Sequence, residues 1–190
     1  MRDSIIYLGV FLMVVCVASA TSLAMTHRVT NPLILQHQEA TRAAAMAQVL
    51  PEADDFEDAT EDFSDLLDDP DFADIVEVNV GLRQGDPVGN VITVAPTGYV
   101  DEIVTMVGIS DGTITGVSIL RQIETPGLGA RVVEEDFKSQ FLGLSSTDTV
   151  ALKNDGGQID ALAGATESSR AVADGVDQAT RLYERIRKER

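Results

Sequence analysis

The chain has 190 residues, enough for one globular domain of ordinary size and one or two accessory segments. Its 31 acidic and 14 basic residues leave a net charge of −17, which repels phosphate backbones and argues against nucleic-acid binding. The single cysteine, Cys16, allows no intrachain disulfide, no CxxC pair and no iron–sulfur ligand set.

Residues 5–25, IIYLGVFLMVVCVASATSLAM, carry no charge. At ~1.5 Å per residue such a helix spans about 31 Å, close to the thickness of a bilayer core. It reads as an uncleaved anchor because it exceeds the usual apolar length of a signal peptide. A signal peptide is the alternative, with Arg2 ahead of the apolar run and Ala18-Ser19-Ala20 or Ser22-Leu23-Ala24 as cleavage site. Val15 ahead of Cys16 does not suit a lipoprotein signal. Asn31-Pro32 is expected to separate this helix from a second, alanine-rich one over 33–50 that ends at Pro51. His27 and His37, ten apart among polar residues, are not read as a metal pair.

Thirteen acids and no lysine or arginine fall between residues 52 and 77, which reads as a solvated acidic face or loop. Asp68-Asp69-Pro70-Asp71 lacks the glycine and terminal glutamate of a calcium loop. Alternation then predicts strands at 75–80 and 91–96, the second after a turn rich in glycine and proline. A hairpin follows, with Asp111-Gly112 as its turn. Val133, Phe137 and Phe141 are spaced as one face of a helix within 132–144. Val172, Val176, Ala179, Leu182 or Tyr183, and Ile186 form the apolar stripe of a long terminal helix with a basic end.

Two stretches carry chemistry. In IDALAGATESSRAV, residues 159–172, Gly164 and Ala165 leave room for a bulky group where a helix begins. The hydroxyls and amides from Thr166 to Ser169 suit an anion there, although Thr166 is equally an ordinary helix cap. In ETPGLGAR, Pro126 stiffens a loop that Gly127 and Gly129 turn tightly, with Leu128 presented between them. Such a loop can lie against a flat ring or simply connect two elements.

In this order, behind a membrane helix, ETPGLG, DFKSQF and IDALAGATESSRAV resemble the flavin mononucleotide (FMN)-binding G subunit of Rnf-type electron transport complexes. The resemblance extends over nearly the whole chain, taking in AQVLP, the GY pair, the hairpin and the terminal helix. The C subunit of sodium-translocating NADH:quinone reductases shares the attachment motif but is similar to a longer chain. The resemblance implies an α+β fold: a transmembrane helix (1–26), a helical stalk (27–51) and an FMN-binding domain (52–190) built on a mainly antiparallel sheet flanked by helices.

It further implies FMN joined by a phosphoester to Thr166, attached by a separate flavin transferase that uses FAD and magnesium. Asp160 would be read by that transferase, and Gly164 and Ala165 would give it room. Ala163 stands where the family usually has serine or threonine, at a cost of about one hydrogen bond, ~0.5 to 1.5 kcal/mol. Glu124, Thr125, Gly127, Leu128 and Gly129 would border the ring, and Ser168 and Ser169 the phosphate. The implied role is an electron relay between ferredoxin and NAD coupled to sodium or proton movement. The chain lacks GxGxxG, cluster cysteines and polar membrane helices, so it would depend on the other subunits. The flavin domain would sit on the outer face of the cytoplasmic membrane. A tethered acidic binding module without a cofactor is the competing reading.

Overall fold

The computed structural model describes residues 2–189. The chain divides into two compact units, Met1–Arg42 and Ala43–Arg190. The described residues of the first are helical, as part of α1 (Arg2–Val49). Within it Phe11–Arg28 has a mean hydropathy of 1.3 and is long and apolar enough to cross a membrane. The Thr21 and Thr26 hydroxyls donate to the carbonyls of Val17 and Ser22, at 2.7 and 3.0 Å, so neither needs an outside partner.

One expectation fails here: α1 runs through Asn31-Pro32 without a break. A proline inside a helix removes one backbone hydrogen bond, and the leucine- and alanine-rich sequence on both sides sustains the helix across the gap.

The second unit is an α+β domain built on one antiparallel sheet in the order β1-β2-β3-β4-β5. The strands are β1 (Asp55–Asp58), β2 (Ile75–Arg83), β3 (Asp86–Val94), β4 (Val104–Ser110) and β5 (Thr113–Arg121). Both main hairpins turn on two residues of positive φ, Asp111-Gly112 (49° and 74°) and Gln84-Gly85 (54° and 91°), as tight turns matching the sheet twist require. The expected glycine- and proline-rich turn before residue 91 is therefore strand: β3 begins at Asp86. Pro87 lies at a register irregularity, where a missing amide is tolerated, and Gly89 faces Gly81.

Glycines in the sheet have a packing reason. Gly81 faces Gly89 and Gly108 faces Gly116 across adjoining strands. A side chain at Gly81 would strike Leu50, and one at Gly108 or Gly116 would strike the Val49 backbone. The end of α1 thus seats on a bare patch of the sheet. Met46, Val49, Leu50, Val91 and Met106 are buried together there, and Thr115 Oγ1 donates to the Val49 carbonyl at 2.5 Å.

The opposite face is covered by α4 (Thr166–Glu189). Val172, Val176, Ala179, Leu182, Tyr183 and Ile186 are buried with Ile92, Val107 and Ile109 in the main core. Each fully buried aliphatic side chain contributes about 1.5–3 kcal/mol. Gly175 lets the helix approach closely, since a Cβ there would lie 2.9 Å from both Pro96 and Val94.

The acidic tract is more ordered than a solvated loop. It supplies the edge strand β1, the short helix α2 (Ser64–Leu67) and Phe72, which is 2% exposed. Charged residues suit an edge strand because they discourage pairing with other chains. Arg181 and Arg185 of α4 lie over the Phe72 ring and pair with Asp71 and Asp69 at 3.6 and 3.9 Å.

The short helix expected within 132–144 is α3 (Glu135–Lys138), flanked on both sides by short 3-10 turns. Val132, not Val133, faces inward beside Phe137 and Phe141, whose rings meet edge to face at 5.5 Å. Gly143, at φ 77°, turns the chain away at its end.

Candidate functional site

Two segments meet at the N-terminus of α4. The segment before the helix closes on itself: Ala165 N donates to Leu162 O at 3.0 Å, and Gly164 takes the third position of that turn with φ 78°. Only glycine enters that conformation without strain. A Cβ on Gly164 would also come within 3.1 Å of Leu128 across the gap. Ser169 locks the turn from inside, accepting from Leu162 N at 3.0 Å and donating to Ala165 O at 2.9 Å. Thr166 is the first residue of α4, half-buried. Its amide and those of Glu167 and Ser168 have no acceptor within the helix, which leaves donors and the positive end of the helix dipole at this point.

The facing loop follows β5. Leu128 N and Ala130 N both donate to Thr125 O, at 3.1 and 3.2 Å, and Gly127 takes φ 78°. Leu128 is left 44% exposed at the top of this turn.

Glu124 links the two walls. It is 4% exposed; its Oε1 accepts from Val100 N at 2.9 Å and its Oε2 from Ser168 Oγ at 2.6 Å. Three segments are thereby tied by one carboxylate. Gly98 and Gly129 make room for it: a Cβ on Gly98 would lie 2.5 Å from Oε1, and one on Gly129 2.6 Å from Oε2.

Between these walls lies a cleft of about 540 Å³, lined by Tyr99, Glu124, Thr125, Leu128, Gly129 and residues 164–168. That size is within the range of roughly 300–1,000 Å³ usual for small-molecule sites. Of the residues singled out in the sequence, Glu124, Thr125, Leu128, Gly129, Gly164, Ala165, Thr166 and Ser168 line it. Gly127, Asp160, Ala163 and Ser169 do not. Gly127 and Ala163 are exposed turn residues beside it, and the Ser169 hydroxyl is engaged inside the turn. Asp160 stands at the start of the segment, where Lys153 Nζ meets its Oδ2 at 2.6 Å. Its backbone is held from both sides by the Gln140 side-chain amide, at 2.7 and 3.3 Å.

Tyr99 and Glu167 also line the cleft and are not among the sequence candidates. Tyr99 is 74% exposed and lines the cleft together with Leu128, so an aromatic ring and an aliphatic side chain are both offered to it. The signal available in the sequence was an aromatic directly after a glycine, outside the alternation of a strand. Glu167 pairs with Arg170 at 2.7 Å, and Arg170 also meets Asp155 at 2.9 Å. Hydrogen bonds to Asp155 and Glu167 raise the Arg170 guanidinium above its ordinary pKa.

A flavin nucleotide fits these features. The apolar pair offers faces to a planar ring, the bare backbone at Gly129 and Gly164 admits it closely, and the α4 amides offer donors to a phosphate. An α+β domain with such a cleft is consistent with the flavin-binding class, and residues 98–181 match the FMN-binding domain family.

The likeness to individual relatives reaches further along the chain. The G subunit of the Na(+)-translocating ferredoxin:NAD(+) oxidoreductase complex of Acetobacterium woodii is 34% identical, over 95% of this chain and 92% of its own. The G subunit of the ion-translocating oxidoreductase complex of Methanosarcina acetivorans is 37% identical over 90% and 89%, and its counterpart in Stutzerimonas stutzeri 32% over 97% and 83%. The chain belongs to the family of G subunits of ion-translocating oxidoreductase complexes. Among solved structures, Shewanella oneidensis NqrC aligns at 22% identity and a TM-score of 0.43, over 53% of each chain.

Proposed function

We propose that this chain is the FMN-carrying electron-transfer subunit of a membrane complex that couples electron transfer between ferredoxin and NAD to the movement of sodium or protons. The observation that carries the reading is Thr166: a half-buried hydroxyl at the first residue of α4, inside a cleft suited to a flavin. The relative from Acetobacterium woodii, named for sodium, ferredoxin and NAD, supports the wider role.

In this reading Thr166 Oγ carries the FMN phosphate. A separate flavin transferase would deliver it from FAD with magnesium. Thr166 Oγ forms the new bond to phosphorus as the pyrophosphate bond breaks, AMP leaves and the hydroxyl proton goes to solvent. Asp160, exposed and rigidly held by Gln140 and Lys153, presents the start of the segment to that enzyme. The amides of Thr166, Glu167 and Ser168 hold the phosphate, and Tyr99 and Leu128 flank the ring and keep water from it. The bound flavin supplies transfer of one or two electrons.

Residues 1–26 serve as the anchor, 27–51 as the stalk and 52–190 as the flavin domain, which faces the extracytoplasmic side of the cytoplasmic membrane. The chain passes electrons only within the assembled complex.

The test is colour. Protein made in a host with the transferase and then denatured in acid should keep its yellow flavin, and Thr166→Ala should lose it while remaining folded. Flavin released by acid from the parent protein would refute the covalent link. Colourless parent protein would favour the acidic binding module.

A further inference from the structure

We propose that the buried carboxylate of Glu124 sets the reduction potential of the FMN held in this cleft, acting as a fixed negative charge in its wall. The inference rests on the flavin reading above and adds a residue-level control of the cofactor.

Glu124 is the one acidic or basic residue among the buried polar side chains of the described residues. Among those residues it has no ion-pair partner; its two oxygens are held only by the neutral Val100 N–H and Ser168 hydroxyl. The other acid lining the cleft, Glu167, is exposed and paired with Arg170. A charge in water at the surface is weakened by the high dielectric constant and screened by salt over about 8–10 Å, whereas one enclosed by protein acts at greater strength over the same distance. The closeness of Gly98 and Gly129 to its oxygens fixes the carboxylate in place.

The sign follows from the charge on the ring. Reduction by two electrons with uptake of one proton leaves the ring one unit more negative. A fixed carboxylate in the wall opposes that change and lowers the potential. Glutamine keeps the shape: its carbonyl still accepts from Val100 N, and its amide donates to Ser168 Oγ, which can accept instead. Glu124→Gln therefore removes the charge and preserves the brace.

The experiment compares the FMN-loaded full chain with its E124Q, E124A and E167Q forms. FMN per protein is read from absorbance, and the midpoint potential from an anaerobic spectroelectrochemical titration. E124Q should load as fully as the parent and titrate at a more positive potential. E124A, without the brace, should load less. E167Q should titrate close to the parent. The inference is overturned by a loaded E124Q with the parent's potential, by an E167Q shift as large as that of E124Q, or by an E124Q that cannot hold flavin. A parent without flavin would instead overturn the functional reading beneath it.

Discussion

Thr166 and Ser169 stand three residues apart at the same helix start and face different surroundings. Thr166 opens onto the cleft, while Ser169 is buried and spends its hydroxyl on Leu162 and Ala165. The sequence shows both as hydroxyls near a helix N-terminus; which one turns inward depends on the Gly164 turn that fixes the entry angle of the chain. Glu124 is a similar case. Its place beside a glycine-rich loop is legible, but its role as a brace depends on Val100 and Ser168, distant in sequence. Elsewhere on α4, partial desolvation raises the pKa of Asp174, whose side chain is still exposed, with Asp155, Asp177 and Asp74 adding to it against the pull of Arg170. A carboxyl raised in the folded state binds its proton more tightly there than in the unfolded chain, so ionising it costs stability above both values. Asp174→Asn should therefore raise the melting temperature at neutral pH, with the gain fading as pH falls through the raised folded value and gone below the ordinary carboxylate value of ~4. A gain independent of pH would show that the effect is not one of charge.

Among the elements, the Asp111-Gly112 hairpin and α4 are plain in the sequence because local chemistry dictates both: positive φ at two turn residues, and an apolar stripe at helical spacing. The Gln84-Gly85 turn is hidden by a glutamine in a position that usually takes asparagine, aspartate or glycine. Edge strand β1 is hidden by its own acids, which oppose a strand reading while protecting the edge. Gly81 and Gly89 read as part of a turn until their partner is visible, since the need for glycine in the sheet comes from Val49 and Leu50 at the end of α1. Gly116→Ala would place a Cβ 2.6 Å from Val49 Cα, backbone that cannot swing aside. It should cost about 1–3 kcal/mol in urea unfolding. An unchanged midpoint would mean that α1 does not seat on this face.

On the scale of the whole molecule, a helix long and apolar enough to cross a membrane precedes the sheet domain in a chain whose net charge is −17. Both faces of the sheet are covered, one by the end of α1 and the other by α4. The cleft forms where the loop after β5, the start of α4 and residues 98–100 converge, and no single stretch of sequence contains it. The account depends on what that convergence holds. Peptide mass spectrometry of protein matured with the transferase tests it most directly. The peptide containing Thr166 should carry the mass of FMN less one water, with fragment ions assigning it to that threonine. An unmodified peptide, or FMN on Ser168 or any other residue, would contradict the account.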